Sequence, residues 1–297
     1  MDCFKLKPGA NRILTIEKDV YLSQTQKKTP YCRVGKDGKQ HYYALCPECD
    51  NPIQIVGLFV DTIEAGRRPY GRHHKGDVIG LAKYNEADYL DCIYADPNWK
   101  RPKGKRSANS KLARQVLTLL REQFDRIIYI LSKDMEVHIS VPLAKKLLRY
   151  FLDDEAWRYR MTTLNNLPWS LGEAAPATPL FGQWISRNSE LQAAIEKGCP
   201  AASLVETKNP DYVQVKNKEG MYLELTFFFL NHNKSLDAET GTVKESITLE
   251  VDNGKECIYQ KDISIRSDYF LNLISDEKKS FRRNKKLLDI AHELISE

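Results

Sequence analysis

The turn Cys46-Pro47-Glu48-Cys49 is the feature that most constrains what this chain can fold into. A C-x-x-C turn presents two thiolates from neighbouring backbone positions, and zinc takes four tetrahedral ligands drawn from cysteine sulfur and histidine nitrogen. The flanking segments 42–45 and 53–60 are rich in Tyr, Ile, Val and Phe, which predicts two strands joined by the cysteine knuckle. A thioredoxin-like redox pair would instead sit between a strand and a helix of a βαβ unit, and segment 53–60 does not read as helix.

The seven cysteines, at positions 3, 32, 46, 49, 92, 199 and 257, are odd in number and widely spread, which is not a disulfide framework. Two further ligands are therefore sought among Cys32, His41, His73, His74 and Cys92. One of His73 or His74 together with Cys92 is preferred, because that gives the order Cys-Cys-His-Cys across two loops. The expected cofactor is one structural Zn2+, with Cys46, Cys49, His73, His74 and Cys92 as the candidate ligands.

In the order of Cys46, Cys49, His73, His74, Asn85 and Cys92, about 50 residues of the sequence resemble HNH-type nucleases, which bind a catalytic metal in a ββα fold. The resemblance implies catalysis by His73, His74 and Asn85 with a labile Mg2+. The pattern departs where Ala95 replaces the last cysteine and where no histidine follows until His138. The same histidine would then have to serve structural zinc and catalysis, whereas metal-assisted hydrolysis needs its own ligands and base. A second nuclease pattern, Glu206-Thr207-Lys208, lacks a suitably placed upstream acid and reads as solvated surface. His138, His232 and His292 are isolated and read as structural histidines.

Charge is unevenly distributed. Residues 1–150 carry 27 Lys and Arg against 17 Asp and Glu, while residues 151–297 carry 18 against 23, within a net charge of +5. The basic half is where a polyanion would sit. Its densest stretch runs through Trp99, Lys100, Arg101, Lys103, Lys105 and Arg106, and Arg67, Arg68, Arg72 and Lys75 add to it from the loop beside the histidine pair. Such a strip neutralises phosphates without reading sequence, and nearby Trp and Tyr rings offer stacking.

The chain reads as α+β: a small N-terminal zinc-knuckle β domain over residues 1–96, a basic linker 97–108, a helical region 109–200, and antiparallel hairpins with terminal helices over 201–297. Apolar residues at three- and four-residue steps from Leu112 to Ile128 predict a helix from an Asn109 or Ser110 cap to about Ser132. Ser140 and Pro142 start a second helix and residues 189–197 form a third, with Trp169 and Trp184 covering the helical core. Alternation predicts two hairpins, one turning at 217–220 and one at 252–255, where Asn253-Gly254 suits a type I′ turn. Helices are expected over 267–274 and about 277–295, the latter opening with a basic cluster. Segment 222–229, with Phe227, Phe228 and Phe229, would form a partner surface unless helices cover its second face.

No apolar run approaches the roughly 18 residues of a membrane span, and residues 1–12 lack the apolar core of a signal peptide. A cytoplasmic location is expected, without membrane contact. The function so implied is a zinc-stabilised nucleic-acid-binding protein, DNA or RNA, serving as an accessory or regulatory component of a larger assembly, with protein partners or self-association. The alternative is the metal-dependent nuclease.

Overall fold

Alternation of apolar and polar side chains through residues 40–56 builds an antiparallel pair around the knuckle, and the rest of the N-terminal module assembles on it. The structure, a computed structural model, describes residues 1–10, 12–35, 37–60, 68–92, 94–95, 104–236, 243–274 and 283–295. Strands β1 (Cys3–Phe4) and β2 (Leu14–Thr15) pair, and helix α1 (Lys18–Thr25) follows them. The main N-terminal sheet has the order β3 (Cys32–Val34), β4 (Gln40–Leu45), β5 (Pro52–Val56), β6 (Tyr70–His73), all antiparallel. Its inner face buries Ala44, Ile53 and Ile55 against Phe4, Ile16 and Tyr21. The Tyr21 hydroxyl, 2.8 Å from the carbonyls of both Tyr31 and Tyr43, pins α1 to the sheet.

Helix α2 (Glu86–Asp91) closes the module, and the long helix α3 (Lys111–Met135) begins the helical body. Ser110 stands at the N-cap position of α3 without a side-chain cap hydrogen bond, and the helix's inward stripe includes Val116, Leu120, Phe124, Ile127 and Leu131. Non-helical angles at Gln123 kink it. Strand β7 (Val137–His138) leads into α4 (Val141–Asp153), where the Ser140 hydroxyl accepts from Leu143 N at 3.4 Å and Pro142 sits in the first turn. Then come α5 (Leu167–Glu173), β8 (Thr178–Pro179), β9 (Trp184–Ser186), α6 (Glu190–Gly198), β10 (Ala202–Glu206) and β11 (Tyr212–Asn217). The chain ends with β12 (Leu225–Leu236), β13 (Val243–Asn253), β14 (Glu256–Ser264), α7 (Ser267–Leu273) and α8 (Lys285–Leu294).

The α+β architecture is that expected from the sequence, with several differences of detail. The turn at 217–220 joins no hairpin. Strand β11 pairs with β10 and β9, and β12 pairs with β13 and β8, giving two sheets of order β10-β11-β9-β7 and β14-β13-β12-β8. The second hairpin is offset by one residue: Asn253 pairs with Glu256, leaving Gly254-Lys255 as the turn, with Gly254 at a φ of 64°. Gly as the first central residue is the signature of a type II′ turn, not the type I′ expected from Asn-Gly. Trp184 is only half-buried on a strand, while Trp169 is buried, its Nε1 donating to Asp134 at 2.9 Å.

One face of the phenylalanine run is covered from within the chain, while Phe228 on the other face is half-buried and Tyr222 is exposed. Phe227 and Phe229 are buried, and Gly172 of α5 approaches Phe229 so closely that a Cβ there would lie 2.6 Å from its ring. Of the basic cluster before α8, Lys278, Lys279 and Arg282 lie outside the described residues. Arg283 pairs with Asp125 of α3 at 3.0 Å.

Candidate metal centre

Strands β4 and β5 pair up to Leu45 and Pro52, so the knuckle between them is held at both ends. Within it Cys46 N donates to Asn51 O at 2.9 Å and Asp50 N to Cys46 O at 3.2 Å, with Asp50 in the left-handed region at a φ of 57°. Strand β6 pairs with β5 in a register that sets His73 opposite Ile53, and Asn85 caps α2, which ends at Cys92. Three segments thus deliver four ligands to one point.

The sulfurs of Cys46, Cys49 and Cys92 and a ring nitrogen of His73 all lie within 4.8 Å of one another. Cys46 Sγ is 3.6 Å from Cys92 Sγ, and Cys49 Sγ is 3.3 Å from His73 Nε2. A tetrahedral zinc with Zn–S bonds of about 2.3 Å separates its sulfurs by about 3.8 Å, so the four donors have the spacing of a closed tetrahedral shell. The cysteines are buried, and Asn51 Nδ2 donates to Cys49 Sγ at 3.4 Å. His73 is flanked by Tyr89, edge-on at 5.2 Å.

Electrostatics point the same way. Burial pushes the Cys46 and Cys92 thiols well up, whereas hydrogen bonds from Cys46, Cys92 and His73 hold Cys49 as a thiolate. Three sulfurs in a buried pocket cannot all ionise without a cation, and a divalent metal would supply that charge. The donor set, three thiolates and one imidazole, suits a soft or borderline metal such as zinc.

His74 is not part of the cluster. Consecutive residues at the end of β6 point to opposite faces, and His74 packs edge-on against Tyr43 at 5.3 Å. Cys32 and His41 also stay outside: Cys32 pairs across from Tyr42 on the strand beyond, and His41 bonds Gln54 and Asp37. Asn85, the third residue of the HNH-like order, uses its side chain to accept from Asp88 N at 3.1 Å. Neither it nor His74 is aimed at the centre that His73 joins.

The basic residues divide. Arg67, Trp99, Lys100, Arg101 and Lys103 lie outside the described residues. Arg68, Arg72 and Lys75 are exposed. Lys105 donates to Asp154 O at 2.6 Å, close to the Asp154 and Glu155 carboxylates. Arg106 corrects the sequence expectation: its side chain is 1% exposed, and its guanidinium donates to the carbonyls of Tyr159, Thr162, Arg160 and Asp91 at 2.5, 2.8, 2.9 and 3.3 Å. With four of its five N–H donors taken and the group buried, it is not available to phosphate.

The outer face of the N-terminal sheet was not singled out from the sequence. Register places Tyr43, Gln54 and Arg72 side by side, with His41 and Arg33 adjoining. Asp37, His41, Gln54 and Arg72 are linked in a chain: Asp37 to His41 at 2.9 Å, His41 to Gln54 at 2.7 Å, Arg72 to Gln54 at 3.5 Å. Strand alternation carries the signal, since residues 41, 43, 54 and 72 are polar or amphipathic where 44, 53 and 55 are apolar.

No family model matches this chain, and neither a curated protein nor a solved structure matches it. No described helix is long and apolar enough to cross a membrane.

Proposed function

We propose that Cys46, Cys49, His73 and Cys92 hold one structural zinc ion, and that the module it stiffens binds nucleic acid, DNA or RNA, as an accessory component of a larger assembly. The supporting observation is that β4, β5 and β6, which position the knuckle and His73, also carry the outer face of His41, Tyr43, Gln54 and Arg72. Arg68, Lys75 and Lys39 are exposed at its margins, and Asp37, an acid described beside it, is paired with His41. Cations able to pair with phosphate beside rings able to stack make a nucleic-acid surface. All four zinc positions are filled by protein in this reading, so the metal organises the surface and activates no water.

The test is a salt titration. The full chain should bind labelled single- and double-stranded DNA or RNA with an affinity that falls steeply with ionic strength, and Arg72→Ala combined with Lys75→Ala should weaken binding and flatten that slope. Absence of salt-sensitive binding would sink the nucleic-acid reading. Cleavage that requires added Mg2+ would replace it with the nuclease.

A further inference from the structure

We propose that the outer face of the sheet β10-β11-β9-β7 is a second contact, a stacking site for the unpaired bases of a single-stranded nucleic acid formed by His138, Trp184 and Tyr212; it rests on the nucleic-acid reading above.

Register decides which side chains share this face. Val137 pairs with Ile185 and Val213 with Ile185, and these residues, with Val215, are buried under α6 through Leu191 and Ile195. Their neighbours His138, Trp184, Tyr212 and Gln214 must then point the other way, where all four are half-buried. The three rings meet there: His138 lies 5.6 Å from Trp184 and 5.3 Å from Tyr212, and Trp184 lies 6.4 Å from Tyr212. Their planes are mutually tilted, at interplanar angles of 33°, 55° and 39°.

Against these rings an open cavity of ≈ 360 Å³ is lined by His138, Ser140, Gly182, Gln183 and Trp184. Gly182 turns there at a φ of 78°, and its carbonyl is fixed by Gln214 Nε2 at 3.0 Å. Burial lowers the pKa of His138, so at neutral pH its ring is an uncharged π surface that also offers one donor and one acceptor.

Charge selects the occupant. Helix α4, which starts at the cavity rim, carries Lys145, Lys146 and Arg149 and no acid before Asp153. Lys145 pairs with Glu293, while Lys146 and Arg149 are exposed. Lys216 is exposed on the sheet face itself, and Glu206 at its margin is forked onto Arg187. A neutral sugar chain has no use for these cations, whereas a phosphodiester backbone does. Duplex bases show no open faces to the rings, so the site selects single strands.

Trp184→Leu keeps an apolar side chain on the strand and removes the π surface; Trp184→Phe restores a ring. Binding of oligo(dT) and oligo(U) to the full chain by fluorescence anisotropy should weaken about tenfold in Trp184→Leu and recover in Trp184→Phe, with duplex binding unchanged. Equal single-strand affinity of Trp184→Leu and wild type overturns the site but leaves the nucleic-acid reading standing. Wild type that binds no nucleic acid overturns both. Quenching of Trp184 by a neutral oligosaccharide and not by oligo(dT) or oligo(U) marks a sugar surface and also overturns the proposal.

Discussion

Asp50 and Lys5 form a buried ion pair, Nζ to Oδ1 at 2.6 Å, with side chains 5% and 3% exposed. Asp50 follows the second cysteine of the knuckle, and its other oxygen takes Lys111 of α3 at 3.2 Å and Gly9 N at 3.1 Å. Glu48, between the cysteines, reaches the helical body as well, accepting from Leu164 N at 3.4 Å. The knuckle is therefore the joint between the N-terminal sheet and the helices.

Because breaking a buried pair strands its partner's charge, Asp50→Ala is expected to lower stability by about 3 kcal/mol. Urea denaturation monitored by circular dichroism measures this. A loss below about 0.5 kcal/mol would mean that water screens the joint.

Metal removal acts on the same joint. Purified protein is expected to contain one zinc per chain, and Cys46→Ala or Cys92→Ala to contain little, since a three-ligand remnant binds far more weakly. Cys257→Ser, on an exposed site, should retain it. A strong chelator should expose segment 40–56 to hydrogen exchange while the core around α3 stays protected, because that core is a separate apolar cluster. Elemental analysis below half an equivalent in wild type would contradict the centre.

His232 carries a pH dependence independent of the metal. Its Nδ1 lies 2.7 Å from Glu173 and its Nε2 2.6 Å from Glu245, whose other oxygen pairs with Lys234 at 3.1 Å and which also accepts from Asn166 at 2.6 Å. Burial alone pushes the imidazolium pKa down, but the two carboxylates outweigh it and hold it at about 9. The folded value lies above the unfolded one, so this contribution, on the order of 2–3 kcal/mol, is fully present below about pH 6.5 and is lost as pH rises through 9. His232→Gln should be less stable at pH 6 and approach wild type near pH 10. A parallel pH profile in the two proteins would remove His232 as the cause.

Spacing alone made Cys46 and Cys49 legible, because the two candidate ligands are local. Choosing His73 over His74 required the register of β6 against β5, which no local pattern encodes. The hairpin assumed at 217–220 failed for a related reason: alternation shows that β11 and β12 are strands and not which strands they pair with. Helix α1 escaped notice because a short polar segment with Tyr21 and Thr25 as its buried residues has little periodicity to read. The His41, Gln54 and Arg72 chain spans three strands and exists only once they are aligned.

Arg106 and Arg72 show why a run of basic residues is a poor guide to a binding surface. In sequence Arg106 ends the densest basic stretch, yet carbonyls from residues 159–162 and Asp91 claim its guanidinium. Burial lowers its pKa while Glu48 and Asp91 raise it, but it stays a cation. Arg72 sits in the open, and among the described residues it makes a long contact to Gln54. Arg106→Ala is thus expected to cost about 3 kcal/mol or more, since several buried carbonyls lose their donors at once, and Arg106→Lys to recover little because an ammonium lacks the fork. Arg72→Ala should leave stability within about 0.5 kcal/mol of wild type while weakening nucleic-acid binding. Thermal denaturation and anisotropy on the two variants separate structure from surface, and equal effects of both on either measurement would refute the division.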